Sequence, residues 1–232
     1  MARRPASSPT AHTQSDGALT AAQRTVDRVL APRYAIYLDE VNRFIAACVA
    51  VMKRTGDFSP RVKEVIDEAG LSNQAFYRHF TSKEELLLAV IDAGTRDLDA
   101  YLRRRMGAAA EPVGRIRAWV SGFAAQAISP EAAAATRPFM IPSARLADRF
   151  PDSVRANEEQ LTASLIEALA DALEAGAVRD DIDPVEDARF IYDLSKEWLQ
   201  RQLTAPQLPA PSEARKSARR LEAFVVAAIG GE

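Results

Sequence analysis

The stretch VKEVIDEAGLSNQAFYRHFTSKEELLLAVI, Val62 to Ile91, decides how the chain is read. Gly70 suits the stop of one short helix, Ser72 the cap of a second that ends near Phe80, and Ser82 the cap of a long third. Glu84 and Glu85 fall in the first turn of that long helix, where the helix dipole favours negative charge. Upstream, Ser59 reads as the N-cap of the first short helix and Pro60 as its first residue. Further back, Val41, Phe44, Ile45, Cys48 and Met52 recur at helical spacing and trace one apolar stripe ending near Gly56.

Two short helices separated by AGLS and preceded by a longer amphipathic one make a three-helix helix-turn-helix unit. Its last short helix has the composition of a DNA-reading tip. Ser72, Asn73, Gln74 and Ala75 are small or amide-bearing; amides suit adenine edges and an alanine methyl suits thymine. Leu71, Phe76 and Phe80 supply apolar anchors. Lys63, Tyr77, Arg78, His79 and Lys83, with the capped start of the long helix, are placed to meet phosphates.

These residues closely resemble the DNA-binding module of TetR-family (TetR/AcrR) transcriptional regulators, whose pattern runs Ala-Gly-Val-Ser, then Leu-Tyr-x-His/Tyr-Phe, then Lys-x-x-Leu. The resemblance covers about residues 40 to 92. It implies that Ser72, Asn73, Gln74 and Ala75 face bases, that Tyr77, His79 and Lys83 lie at the phosphate backbone, and that Lys63 touches DNA from the preceding helix. Two residues depart from the pattern, Ile66 for the usual alanine and Phe76 for the usual leucine, which suggests mutual repacking of the helix pair. By architecture, the family also implies a larger helical C-terminal domain that binds a small molecule and dimerises through its last two long helices.

Downstream, helical segments are divided by prolines: roughly 113 to 128, 131 to 136, 142 to 149, 152 to 175, 184 to 204 and 212 to 229. No strand alternation and no internal repeat appears, so the expected fold is all-α. The expected division is a disordered arm over 1–32, a DNA-binding domain over 33–92, and an effector-binding and dimerisation domain over 93–232. Trp119, Phe123, Phe139, Met140, Tyr192 and Trp198 are the bulky candidates for a ligand-cavity wall. Ala188, Ile191, Ser195, Trp198 and Gln202 trace one face of a late helix, and Ala218, Leu221, Val225, Ala228 and Ile229 one of the last. Both stripes fit either intrachain core or a two-fold four-helix interface.

Composition excludes several classes. Apolar residues make up 47% of 232 and no run is long enough to span a bilayer. The start, with Arg3 and Arg4, has no apolar export signal, and reads as an idle tail or a minor-groove arm. A cytoplasmic location is therefore expected. Cys48 is the single cysteine, lies in the apolar stripe and reads as a buried structural thiol. The two histidines, His12 and His79, have no companions at metal-ligand spacing, and neither a nucleophile elbow nor a phosphate loop is present. No cofactor, metal or catalytic residue is expected. The basic run Tyr101 to Met106 lies turns away from the reading tip and is read as solvated or interdomain.

The expectation is a ligand-responsive, homodimeric repressor that binds a palindromic DNA operator and answers to a small apolar or acyl-bearing effector. A helical interaction module without DNA affinity and an all-α enzyme are the alternatives.

Overall fold

The computed structural model describes residues 20–140, 143–205 and 207–230. Among these residues the chain is helical with no strand. α1 (Ala21–Thr55), α2 (Val62–Ala69) and α3 (Asn73–His79) lead into α4 (Lys83–Met106). α5 (Pro112–Ala124), α6 (Pro130–Met140), α7 (Ser143–Arg149), α8 (Pro151–Glu174), α9 (Pro184–Thr204) and α10 (Pro211–Ala228) follow. All of these last helices except α7 open on proline, whose fixed φ suits a helix start and whose missing N–H is not needed there. The prolines that break the chain thus also start its helices. No helix among the described residues is long and apolar enough to cross a membrane.

Three boundaries differ from the sequence reading. α1 begins at Ala21 and runs through Pro32, so residues 21–32, expected in a disordered arm, are helical. Proline deletes one helical hydrogen bond and crowds the preceding turn, but the flanking Leu, Ala and Arg are strong helix formers. Arg3, Arg4 and His12 lie outside the described residues. α2 is capped by Arg61 rather than by Ser59. α6 continues past Pro138 to Met140 instead of stopping at residue 136.

The chain divides into two compact units at Asp39 and Glu40. In the first, the described part of α1 leaves Val29, Tyr34 and Ile36 exposed. The second contains two apolar cores. One gathers Phe44, Cys48 and Met52 from α1, Val65 and Ile66 from α2, Phe76 from α3, Phe80, and Leu86 and Val90 from α4. Phe76 meets Phe44 edge-on at 5.5 Å and Phe80 at 5.5 Å, geometries that aromatic quadrupoles favour. The bulky Ile66 and Phe76 are thus accommodated together in one core. Cys48 is fully buried beside them, and desolvation pushes its thiol up to about 12. It is an inert, structural thiol.

The other core is built around α5, whose Val113, Ile116, Trp119, Val120 and Phe123 are buried against α4, α8, α9 and α10. Trp119 stacks on Phe123 at 5.1 Å and donates its indole N–H to the Leu161 carbonyl at 3.1 Å. Most of both late stripes belongs to this chain's own interior: Ala188, Ile191, Ser195, Ala218, Leu221, Val225 and Ile229 are buried, while Trp198 and Gln202 are half-buried and Ala228 is exposed. Trp198 ties α9 to α10 by donating to Ser217 Oγ at 2.9 Å.

Candidate functional site

The turn between α2 and α3 depends on Gly70, whose φ of 62° is left-handed and costs glycine nothing. Arg43 of α1 reaches across and donates to the Ala69 carbonyl at 2.7 Å and the Gly70 carbonyl at 3.3 Å. It thereby satisfies acceptors that the end of α2 leaves open. At the other end of α2, the Arg61 N–H donates to the Glu64 carboxylate at 3.0 Å. The pair of helices is held by its own caps and by one arginine fork.

On α3, Ser72 Oγ accepts from the Ala75 N–H at 3.0 Å, a cap worth about 1 kcal/mol. Helical geometry then splits the short element into two faces. Ser72, Asn73, Gln74, Tyr77 and Arg78 are exposed, while Ala75 and Phe76 are buried. Ala75, expected to offer its methyl to a thymine, instead sits in the head core at 4% exposure. It precedes Phe76 on the inward face, and the methyl is used in packing. Tyr77 is 59% exposed and braced edge-on against Phe76 at 5.3 Å.

His79, expected at the phosphate backbone, turns inward: its side chain is 8% exposed and its Nε2 meets Glu40 of α1. Arg78 donates to both oxygens of the same carboxylate, at 2.9 and 2.7 Å. Glu40 therefore clamps the end of α3 to α1, a residue that sequence reading missed because it lies 38 and 39 positions away. The hydrogen bonds of His79, then of Arg78, hold the Glu40 carboxyl below the ordinary carboxylate range. A carboxylate lowered in the folded state contributes stability above its ordinary value and loses it as pH falls through the lowered one. Thermal melts of wild type and Glu40→Gln, followed from neutrality downward, are expected to show a smaller acid loss in the variant. Parallel acid losses would count against the clamp.

Lys63 is exposed and paired with Asp67 at 2.8 Å, a pair weak enough at such exposure to be exchanged for a phosphate. Lys83 donates to Ser59 Oγ at 2.7 Å, so the serine read as a cap instead positions this lysine. The start of α4 is less open to phosphate than expected. Ser82 Oγ already accepts from the Glu85 N–H, and Glu85 accepts from the Thr81 N–H and hydroxyl. Glu84 pairs with Arg149 at 2.9 Å. Two carboxylates at that helix start make it a poorer anion site than the sequence suggested.

Behind the head lies a cavity of about 520 Å³, within the usual size of small-molecule sites. Phe123, Phe139 and Tyr192 of the six wall candidates line it. Trp119 and Trp198 do not: the first lies in the core beneath Phe123, the second between α9 and α10. Of Met140 only the backbone is described. Sequence bulk identified the aromatics, but not which face each presents. The wall also includes Ile45, Val49 and Lys53 of α1 and Val90, Gly94 and Leu98 of α4, none of which the sequence assigned to a cavity. Phe139 lies over Gly94, where a Cβ would come within 2.9 Å of the ring, and it also packs on the head core. Burial pushes the Tyr192 phenol up, so it stays a hydrogen-bond donor.

The described residues thus place a helix-turn-helix head beside a helical body, with an apolar cavity walled by helices of both. Residues 49–90 match the family described as bacterial regulatory proteins, tetR family. No curated protein matches the chain. Among solved structures, GusR of Salmonella enterica is similar, with TM-score 0.63 and 20% identity over 82% of this chain and 95% of its own. FadR from Bacillus subtilis, solved in complex with stearoyl-CoA, has TM-score 0.64 and 16% identity over 79% and 96%. AibR, solved with isovaleryl coenzyme A and operator DNA, has TM-score 0.57 and 16% identity over 81% and 96%. Residues 49–90 thus carry the tetR-family module, and the described chain shares the fold of these solved structures.

Proposed function

We propose that the chain is a homodimeric repressor, not an enzyme, with a DNA-binding head over 33–92 and an effector-binding and dimerisation body over 93–232. The observation that carries this reading is that one apolar cavity is walled by helices of the head and of the body together. A ligand filling it bears directly on α1 and α4, and so on the placement of α3. FadR and AibR, which share the fold, were solved with acyl-CoA ligands, which supports an acyl-bearing effector. The effector acts by population shift and needs unequal affinity for two arrangements of head and body.

Asn73 and Gln74 read base edges, Ser72 holds the tip, and Tyr77, Lys63 and Lys83 meet the backbone. Two heads one helical turn of DNA apart, roughly 34 Å, then read a palindrome. The surface for pairing is the outer side of the last two helices, where Phe190 and Phe224 are 59% and 63% exposed. Exposed aromatics of this kind mark interfaces.

Mobility shifts on DNA upstream of the protein's own coding sequence, at two salt concentrations, test the reading. Specific, salt-weakened binding is expected, with Lys83→Ala lowering the salt slope by about 1. Sedimentation is expected to give a dimer that Phe190→Glu with Phe224→Glu converts to monomer. Absence of specific binding at both salts, or a wild-type monomer at micromolar concentration, sinks the repressor or the dimer respectively.

A further inference from the structure

We infer that Lys53 of α1 holds an anionic end of the effector, so that the DNA-binding head itself supplies a ligand-binding charge. The inference rests on the acyl-effector reading above.

Three of the polar side-chain groups on the body side of the cavity are already engaged within the chain. Thr136 donates to Gln126 at 3.4 Å, Asn157 to Asp92 at 2.7 Å, and Lys196 to Glu158 at 2.5 Å. Lys196 is neutralised there and also lies over the Tyr192 ring. Lys53, by contrast, lines the cavity and makes no hydrogen bond or ion pair with the described residues. Its neighbour Arg54 is committed to Glu68 at 2.6 Å. Lys53 is therefore the wall's uncommitted cation.

Its position on α1 fits an amphipathic ligand. Ile45, Val49 and Lys53 recur every fourth residue and share one helix face, so an acyl chain lying along α1 meets two aliphatic side chains and then an ammonium. The adjacent face of the same helix, Phe44, Cys48 and Met52, is buried in the head core. An ion pair to Lys53 thus binds the ligand to the head as well as to the body. It forms only while α1 borders the cavity, which supplies the unequal affinity that a switch requires. The wall also has an uncommitted anion, Asp97 of α4, which would take a cationic ligand end instead. A fatty-acid carboxylate or an acyl-CoA carries negative charge, which Lys53 complements and Asp97 does not.

Binding of dodecanoate, dodecan-1-ol and dodecylammonium to the full chain, by calorimetry at two salt concentrations, tests the inference. Wild type, Lys53→Gln and Lys53→Arg would be compared, with circular dichroism melts to confirm that each is folded. Wild type is expected to bind dodecanoate in a salt-sensitive way. Lys53→Gln is expected to weaken that binding about tenfold, to leave dodecan-1-ol within about twofold, and Lys53→Arg to restore most of the loss. Dodecanoate binding unchanged in Lys53→Gln, an equal loss for all three probes, or a wild-type preference for dodecylammonium overturns the role of Lys53 and leaves the cavity reading standing. Failure of wild type to bind either dodecanoate or dodecan-1-ol overturns the acyl-effector reading, and the role of Lys53 with it.

Discussion

Replacing Phe76 with alanine is expected to destabilise the head by about 3–5 kcal/mol, whereas replacing its neighbour Tyr77 leaves the head folded and weakens its hold on DNA. Phe76 is fully buried and touches the rings of Phe44, Tyr77 and Phe80. Its removal opens a cavity at the point where α1, α3 and the start of α4 meet, and the rigid faces around it relax only in part. Tyr77 is mostly exposed, so its truncation changes stability by about 0.5 kcal/mol or less. Cys48 reports the difference. Its thiol is buried and held neutral, so maleimide labelling at neutral pH is slow unless the head opens. Fast labelling is expected in Phe76→Ala and slow labelling in wild type and Tyr77→Ala. DNA affinity is expected to fall in both variants, through lost structure in the first and a lost backbone contact in the second. Similar labelling rates in the two variants would show that Phe76 does not hold the head together.

The second large effect is expected at Trp119. Trp119→Ala should cost about 3–5 kcal/mol, read by denaturant unfolding of the body. The indole is fully buried, stacks on Phe123 and donates to the Leu161 carbonyl on α8. It forms none of the cavity wall, yet it supports Phe123, which does. Dodecanoate affinity is therefore expected to fall in Trp119→Ala without loss of any direct contact. Trp119→Phe keeps a stacking ring and loses the hydrogen bond, a change of about 1 kcal/mol. If the two variants lose the same small amount, the indole is not the prop of the wall.

The fold was legible in the sequence wherever local chemistry decides it. Gly70 marks a left-handed turn because only glycine occupies that φ without cost, and Ser72 and Ser82 cap because their hydroxyls reach the next turn's N–H. The prolines at 112, 130, 151, 184 and 211 divide the body for an equally local reason. Ser59 misled for the complementary reason: it has the chemistry of a cap, but Lys83, remote in sequence, takes its hydroxyl. The arm expected over 1–32 also ended too late, since α1 begins at Ala21.

The candidate site was half legible. Exposure of Asn73, Gln74 and Tyr77 follows from helical periodicity once the anchors Phe76 and Phe80 are recognised. The periodicity also buries Ala75, but the small side chain disguised it as a surface residue. His79 could not be assigned from its surroundings in the chain, because its partner Glu40 sits on another helix. In the body, aromatic residues were visible but their directions were not. Phe123 and Phe139 face the cavity while Trp119 and Trp198 do not, a choice made by how α5, α6, α9 and α10 rotate as they pack.

By itself, then, the sequence determined the all-helical class, the order of helices, the helix-turn-helix and the exposure of Asn73, Gln74 and Tyr77 at its tip, since these depend on φ, hydrogen bonds and periodicity within a few residues. Only the tertiary structure decided that Glu40 clamps α3, that Lys83 is held by Ser59, and that α1 lends Ile45, Val49 and Lys53 to the cavity. Those contacts join residues tens to more than a hundred positions apart, and close packing of helices, not any local preference, brings them together.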